Sequence, residues 1–135
     1  MRGLLTVQRY FLKKTDRLKS RKAIDIMFTK GKSFSNFPFR ILWMNVDNED
    51  GLKAGFSAST KIFKKATDRN KIKRLMREAY RLQKNDLVNQ LSLNKKAINI
   101  FFIYTGKEVP TYDLVFEKMG DVLKRIIKLT DEKFQ

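Results

Sequence analysis

The chain has 135 residues, a length that suits one domain with one hydrophobic core. Lysine and arginine number 30 against 14 aspartates and glutamates, and the formal net charge of +16 favours a polyanionic partner, nucleic acid first and an anionic membrane surface second. Because cysteine and histidine are absent, disulfides, thiolate zinc sites and Ser-His-Asp catalysis are excluded, and we expect any catalytic chemistry to come from a partner.

The N-terminal part of the sequence predicts an irregular arm followed by a short helix. We interpret residues 1–16 as the arm and residues 17–135 as a single domain. The first helix is predicted over residues 17–30, where Ile24 and Phe28 lie one turn apart on a minimal apolar face. No run of about 18 apolar residues is present, so we expect no transmembrane helix. We therefore expect a cytoplasmic protein.

The next segments predict a β-hairpin. Residues 33–46 are rich in aromatic and β-favouring side chains and predict a strand, in which Pro38 indicates an edge position or an irregular start. Residues 47–51 form a cluster of turn residues. We expect residues 52–59 to return as the second strand of the hairpin.

The second half of the chain predicts a long helix, a buried strand and a closing helix. The long helix is expected from Lys65 to about Leu91, the strand over residues 96–104 and the closing helix over residues 111–129. The strand is apolar enough to be covered on both faces. The order helix, two strands, helix, strand, helix indicates an α+β sandwich, or a split βαβ arrangement.

The long helix begins with an unusual concentration of positive charge. Residues 61–84 contain ten basic side chains and two acids, a local net charge of +8. At about 100° per residue, the apolar and cationic side chains separate onto different faces of the helix. A solvated helix surface is the alternative, but such surfaces usually mix signs one turn apart, and only Glu78 offers a partner here. The pattern therefore favours binding to RNA or DNA.

A motif in this helix resembles a known family signature. Residues 69–79 follow the pattern RN-x-[IL]-KR-x-x-R-[EQ]-A, which resembles the signature of the bacterial ribonuclease P protein subunit. Residues 55–62, GFSASTKI, are similar to that family's strand before the motif helix. Residues 17–19, together with Phe28, are similar to its opening helix. The resemblance covers about residues 17–84, in the family's order.

The resemblance implies a small basic protein in a ribonucleoprotein. The family's catalyst is a large RNA that uses Mg²⁺ to cut the 5′ leader from precursor tRNA, so the protein is a non-catalytic subunit of an endoribonuclease. Mg²⁺ would be bound mainly by the RNA, and the protein would be a monomer in a 1:1 complex with that RNA. The family fold also implies a left-handed βαβ crossover, against the general right-handed rule.

Two binding surfaces follow from the resemblance. The motif helix would contact the catalytic RNA through Lys65, Arg69, Asn70, Lys73, Arg74, Arg77 and Arg81. A cleft between the sheet and the first helix would hold the single-stranded leader and would be lined by Ile24, Phe28, Phe39 and Lys61. A base stacked on an aromatic ring gains about 1–3 kcal/mol whatever its identity, which suits a leader of varied sequence. Core packing is the alternative for both phenylalanines.

The sequence departs from the family pattern at three places. Ile24 and Leu42 stand where aromatic residues are common, and a shift of one position puts Trp43 on the other face of the strand, where we expect core packing. Residues 63–65 replace a shorter turn that contains glycine. No residue is assigned as catalytic or as a metal ligand.

Two other classes of protein remain open at this point. A different basic RNA-binding protein, such as a ribosomal or assembly protein, would use the same cationic helix but would need no leader cleft. The second is a stand-alone nuclease. The acidic residues of this chain are scattered along the sequence, however, and such an enzyme would have to work without histidine.

Overall fold

The computed structural model describes residues 17–18, 21–46 and 51–132. The predicted arm and most of the predicted turn at residues 47–51 lie outside these ranges. The helices are α1 (Arg21–Lys30), α2 (Ala66–Gln83), α3 (Asn85–Leu93) and α4 (Tyr112–Glu132), and the strands are β1 (Lys32–Asn36), β2 (Phe39–Val46), β3 (Leu52–Ala58) and β4 (Ala97–Tyr104). The α+β class is confirmed.

The four strands form one mixed sheet in the order β1-β2-β4-β3. Strand β2 is antiparallel to both of its neighbours, whereas β3 and β4 run parallel and are joined through α2 and α3 as a βαβ unit. The predicted hairpin between β2 and β3 is therefore wrong, because β4 lies between them. Strand β4 carries an apolar residue at nearly every position, and a central place in the sheet covers both of its faces.

The predicted strand over residues 33–46 is in fact two strands joined by a tight turn. Phe37 and Pro38 form the turn, and the peptide bond between them is cis. The backbone N–H of Thr105 donates to the carbonyl of Pro38 at 2.7 Å, which ties the turn to the end of β4. Proline has no N–H to give to a sheet ladder, so it ends the first strand instead of continuing it.

Helices cover both faces of the sheet. The larger core lies between the sheet and helices α2, α3 and α4, and the smaller core on the other face contains Leu18, Met27 and Leu42 under α1. Alternation along β2 sends Trp43 into the larger core and Leu42 into the smaller one. The expectation that Trp43 packs in the core is confirmed.

The first helix is shorter than predicted. It begins at Arg21, and the preceding residues 17–18 are extended. Arg17 forms an isolated parallel bridge with Ala54, and the N–H of Leu18 donates to the carbonyl of Ala54 at 2.9 Å. This short segment thus pairs with the outer edge of β3, where backbone groups would otherwise lack partners.

The predicted long helix divides into α2 and α3 at Lys84. The change of direction brings α3 against α4, where Gln90 Nε2 donates to the Ile127 carbonyl at 2.8 Å and to Thr130 Oγ1 at 3.2 Å. Asn and Asp follow the break directly, and such residues favour helix starts over helix interiors. The closing helix α4 agrees with its prediction and extends three residues further.

Candidate nucleic-acid interface

Helix α2 presents one buried face and one cationic face. Its fully buried residues are Ile72, Met76, Ala79 and Tyr80. The Tyr80 ring contacts Phe56 of β3 and Phe102 of β4, with centroid distances of 5.5 and 5.7 Å, and so anchors the helix to the sheet. Leu82, two residues after Tyr80, is exposed and does not belong to the buried face.

Most of the predicted RNA contacts lie together on the other face of α2. Lys65, Asn70 and Arg74 are exposed, and Lys73 and Arg77 are half-buried. Within the described part of the chain, none of the four cations forms an ion pair with an acidic side chain. A run of unneutralised cations on a rigid, well-packed helix is a surface suited to a polyanion.

Arg81 differs from these cations because an acid compensates its charge. Its Nε donates to Glu78 Oε2 at 3.1 Å, and its Nη2 donates to Oε1. The hydrogen bond from Arg81 lowers the pKa of Glu78, and the same bond raises the pKa of Arg81. Arg81 therefore adds less positive potential to this face than its position on the helix suggests.

Arg69 holds the loop that leads into α2. Its Nη1 donates to the carbonyls of Phe63 at 2.6 Å and Lys64 at 3.0 Å. Phe63 is itself buried and packs against Tyr104 at a centroid distance of 5.9 Å. The loop that replaces a glycine turn is thus fixed by one buried ring and one arginine. Arg69 keeps a structural role whether or not it also contacts RNA.

We expect Arg69→Ala to lower the free energy of unfolding by about 1.5–3 kcal/mol, the usual worth of hydrogen bonds from a charged donor. Lys65→Ala, on the exposed residue before α2, is the matched control and should leave stability unchanged. Urea denaturation of the isolated protein measures both. Equal stability of the two variants would show that the bonds to the loop carbonyls contribute nothing.

The second predicted surface lies between α1 and the opposite face of the sheet. Phe28 of α1 is 54% exposed, and its ring meets Phe101 of β4 edge-on at a centroid distance of 6.1 Å. Ile24 is half-buried beside them. Gly55 of β3 leaves room for the Phe101 ring, since a Cβ there would come within 2.7 Å of Cδ1. The result is an open aromatic groove with an apolar floor.

The assignment of Phe39 to this groove is wrong. Phe39 is 1% exposed, and its ring packs in the larger core against Tyr104 at 6.2 Å. The two residues are direct partners across β2 and β4, so both side chains project toward α2 and α4. Phe39 therefore packs in the core, and its ring exposes no surface on which a base could stack.

Lys61 lies three residues after the end of β3. It is exposed in the turn after β3, where the Ser59 hydroxyl accepts its backbone N–H at 3.2 Å. The same turn leads into α2. Lys61 therefore lies in the connection between β3 and the cationic helix.

The residues of β4 that line the groove were not among those predicted from the sequence. Phe101 and Ile103 face α1, where they pack against the smaller core. Arg40, which pairs with Ile103 across the strands, is exposed on the same face. The sequence of β4 could have predicted them. Consecutive apolar residues in a strand place apolar side chains on both faces of the sheet, so some of them must face α1.

No three His, Cys, Asp or Glu side chains come together to form a metal site within the described ranges. None of the helices described is both long and apolar enough to cross a membrane.

The fold and its two surfaces define a small basic α+β protein with a cationic helix on one face of a mixed sheet and an aromatic groove on the other. A family model described as Ribonuclease P matches residues 12–127. The chain belongs to this family of ribonuclease P proteins.

Similarity to individual proteins extends over most of the chain. A ribonuclease P protein component of Porphyromonas gingivalis is 33% identical over 117 residues, which cover 85% of each chain. One from Clostridioides difficile is 30% identical and covers 87% of this chain and 94% of its own. The solved ribonuclease P protein of Thermotoga maritima has a TM-score of 0.64 at 31% identity and covers 81% of this chain and 96% of its own. That of Staphylococcus aureus has the same TM-score at 26% identity and covers 82% and 94%.

Proposed function

We propose that this chain is the protein subunit of a bacterial ribonuclease P, a ribonucleoprotein that removes the 5′ leader of precursor tRNA. The observation that carries the proposal is the cationic face of α2, on which Lys73, Arg74 and Arg77 have no acidic partner among the described residues. This face coincides with the segment that resembles the family signature, within the residues that the family model matches. In this proposal the protein acts in the cytoplasm as a monomer, bound 1:1 to the catalytic RNA.

The role of α2 is to neutralise and position RNA. Arginine can grip two phosphate oxygens with its planar fork, and lysine contributes a point charge. Each phosphate neutralised releases condensed counterions, so affinity should fall steeply with salt. Asn70, exposed among these cations, can both donate to and accept from a base edge or a sugar.

The role of the groove is to hold the single-stranded leader. Phe28 and Phe101 offer ring surface to bases of any sequence, and the exposed Arg40 offers positive charge on the same face. A subunit that contacts the leader lengthens the footprint on precursor tRNA. It thereby distinguishes precursor from mature tRNA, which has no leader.

Mg²⁺ belongs to the RNA partner in this proposal. Mg²⁺ takes oxygen ligands in octahedral geometry, and the phosphate oxygens of an RNA can supply them. No step assigned to this chain passes through a metal. Its side chains reduce phosphate repulsion in the RNA, which lets the RNA hold Mg²⁺ at lower concentration.

The test of this function compares precursor and mature tRNA binding to the complex of this protein with a bacterial ribonuclease P RNA. We expect the complex to bind precursor more tightly, and the RNA alone to show a smaller preference. Equal affinities with and without the protein would favour a different basic RNA-binding protein. Cleavage by the purified protein without any RNA partner would favour a stand-alone nuclease.

We expect Phe28→Ala to weaken precursor tRNA binding by about 1–3 kcal/mol, the worth of one stacked base. Mature tRNA binding should stay unchanged, since only the leader meets the groove. Leu93→Ala is the matched control, because Leu93 is an exposed apolar residue on α3, a helix that packs on the opposite face of the sheet. Equal losses for precursor and mature tRNA would place Phe28 outside the leader site.

A further inference from the structure

We propose that Arg17, which lies outside the motif helix, forms with Arg77 a binding site for one backbone phosphate of the partner RNA. The site lies at the outer edge of β3, where the chain before α1 meets α2. The proposal rests on the proposed function for the identity of the phosphate, and it adds a contact from a separate part of the chain.

The backbone places Arg17 on the same side of the sheet as α2. Arg17 pairs with Ala54, and paired residues on neighbouring strands project to the same face. Ala54 belongs to the larger core on the α2 side, whereas the next residue, Leu18, packs in the smaller core under α1. Alternation therefore turns the Arg17 side chain toward α2.

Arg77 faces this edge from the helix. It lies one turn before Tyr80, whose ring packs against Phe56 of β3. The pKa of Arg77 is lowered, first by burial and then by the positive charges of Arg17 and Arg74. The guanidinium group of Arg77 is thus close enough to those of Arg17 and Arg74 to be repelled by both.

Nothing in the described part of the chain neutralises this cluster. Neither Arg17 nor Arg77 forms an ion pair there, and the nearby Glu78 is bound to Arg81. The Nε atoms of Arg17 and Arg77 are shielded from solvent and lack a hydrogen-bond acceptor among the described residues. A buried donor without an acceptor is unfavourable, and arginine cannot lose its proton to relieve the repulsion.

A phosphodiester would supply the hydrogen-bond acceptors and the negative charge that the two arginines lack among the described residues. Its two charged oxygens can accept from both guanidinium groups, and its negative charge would offset the repulsion between them. Both residues are only partly buried, so part of each remains open to solvent and to an approaching anion. The neighbouring Arg74 is exposed and extends the positive surface along α2, which suits a nucleic-acid strand more than an isolated carboxylate.

Such a contact would join the segment before α1 to the motif helix. Leu18, next to Arg17, is packed under α1 together with Met27. A phosphate held between Arg17 and Arg77 would therefore fix the RNA against both halves of the molecule, and would set the groove under α1 in a constant position relative to the bound RNA.

The first test uses inorganic phosphate and requires no RNA. Thermal unfolding of the full chain is measured in phosphate and in chloride at equal ionic strength, for the wild type, Arg17→Gln and Arg21→Gln. We expect phosphate to raise the Tm of the wild type and of Arg21→Gln equally, and to raise that of Arg17→Gln by less. Arg21 is the matched control because it is exposed on α1 and undergoes the same change of charge. An equal phosphate shift in all three proteins would overturn the site.

The second test measures affinity for a bacterial ribonuclease P RNA. We expect Arg17→Gln to weaken binding about tenfold or more, as the loss of a charged hydrogen bond does, and Arg21→Gln to have a much smaller effect. Arg17→Lys keeps the positive charge but lacks the planar guanidinium group. Its affinity for the RNA should lie between those of Arg17→Gln and the wild type, which would distinguish loss of the guanidinium contact from loss of folding.

The outcomes separate this proposal from the proposed function. Tight binding that depends on Arg74 but not on Arg17 would overturn the phosphate site and leave the function intact. Absence of any RNA binding by the wild type would overturn the function and the RNA phosphate together, and the inorganic phosphate test would still report whether the two arginines hold an anion.

Discussion

Replacing Phe39 by alanine is expected to lower the free energy of unfolding by about 3–5 kcal/mol, the range for deleting a buried phenylalanine ring. The ring is almost completely buried between the sheet and the helices, where it contacts Tyr104. The resulting cavity would lie under the turn at Pro38, whose carbonyl accepts from both the N–H and the hydroxyl of Thr105. Urea denaturation followed by circular dichroism measures the loss.

The matched control for Phe39→Ala is Phe28→Ala, which removes the same side chain from a mostly exposed position. Its stability should fall by much less, and its effect should appear in leader binding instead. A stable Phe39→Ala variant with weakened leader binding would contradict the packing of the larger core and restore Phe39 to the groove.

The double variant Arg74→Ala/Arg77→Ala is expected to bind the catalytic RNA about a hundredfold or more weakly. Each charged hydrogen bond contributes about 1.5–3 kcal/mol, and among the described residues neither arginine is paired with an acid that RNA binding would have to displace. The plot of log affinity against log salt should flatten by about one to two phosphate charges. Filter binding over a series of salt concentrations gives both quantities.

The control for this pair is Lys128→Ala, on the exposed side of α4. It removes a positive charge from a different helix and should change affinity little. A double variant that loses affinity with an unchanged salt slope would show that the two arginines act by packing, and not by contact with phosphates.

The elements that the sequence predicts well are those with a strong period or an extreme composition. Helix α4 repeats apolar residues at helical spacing, and β4 is too apolar to face water on either side. The two faces of α2 also separate correctly, because amphipathicity depends only on local spacing.

The errors arise where pairing between distant segments decides the outcome. The prediction joined β2 to β3 because a cluster of turn-forming residues lies between them in the sequence. In the structure β4 takes the place between the two strands, and it is apolar at nearly every position. Phe39 went to the wrong face for a related reason, since its direction depends on its register with Tyr104.

The sequence does not predict which partner each arginine of the motif helix binds in the folded protein. The motif marks Arg69, Arg77 and Arg81 alike as cations on one helix, and only the folded chain shows that they differ. Arg69 is bound to loop carbonyls and Arg81 to a glutamate, whereas Arg77 meets another arginine. The last arrangement depends on the bridge from Arg17 to β3, which no local pattern in the sequence predicts.

The most direct test of the central claim is precursor tRNA cleavage by a bacterial ribonuclease P RNA at low Mg²⁺, with and without this protein. We expect the protein to restore cleavage at the correct 5′ position under conditions where the RNA alone is nearly inactive. Tight, salt-sensitive binding to that RNA without any restored cleavage would contradict it.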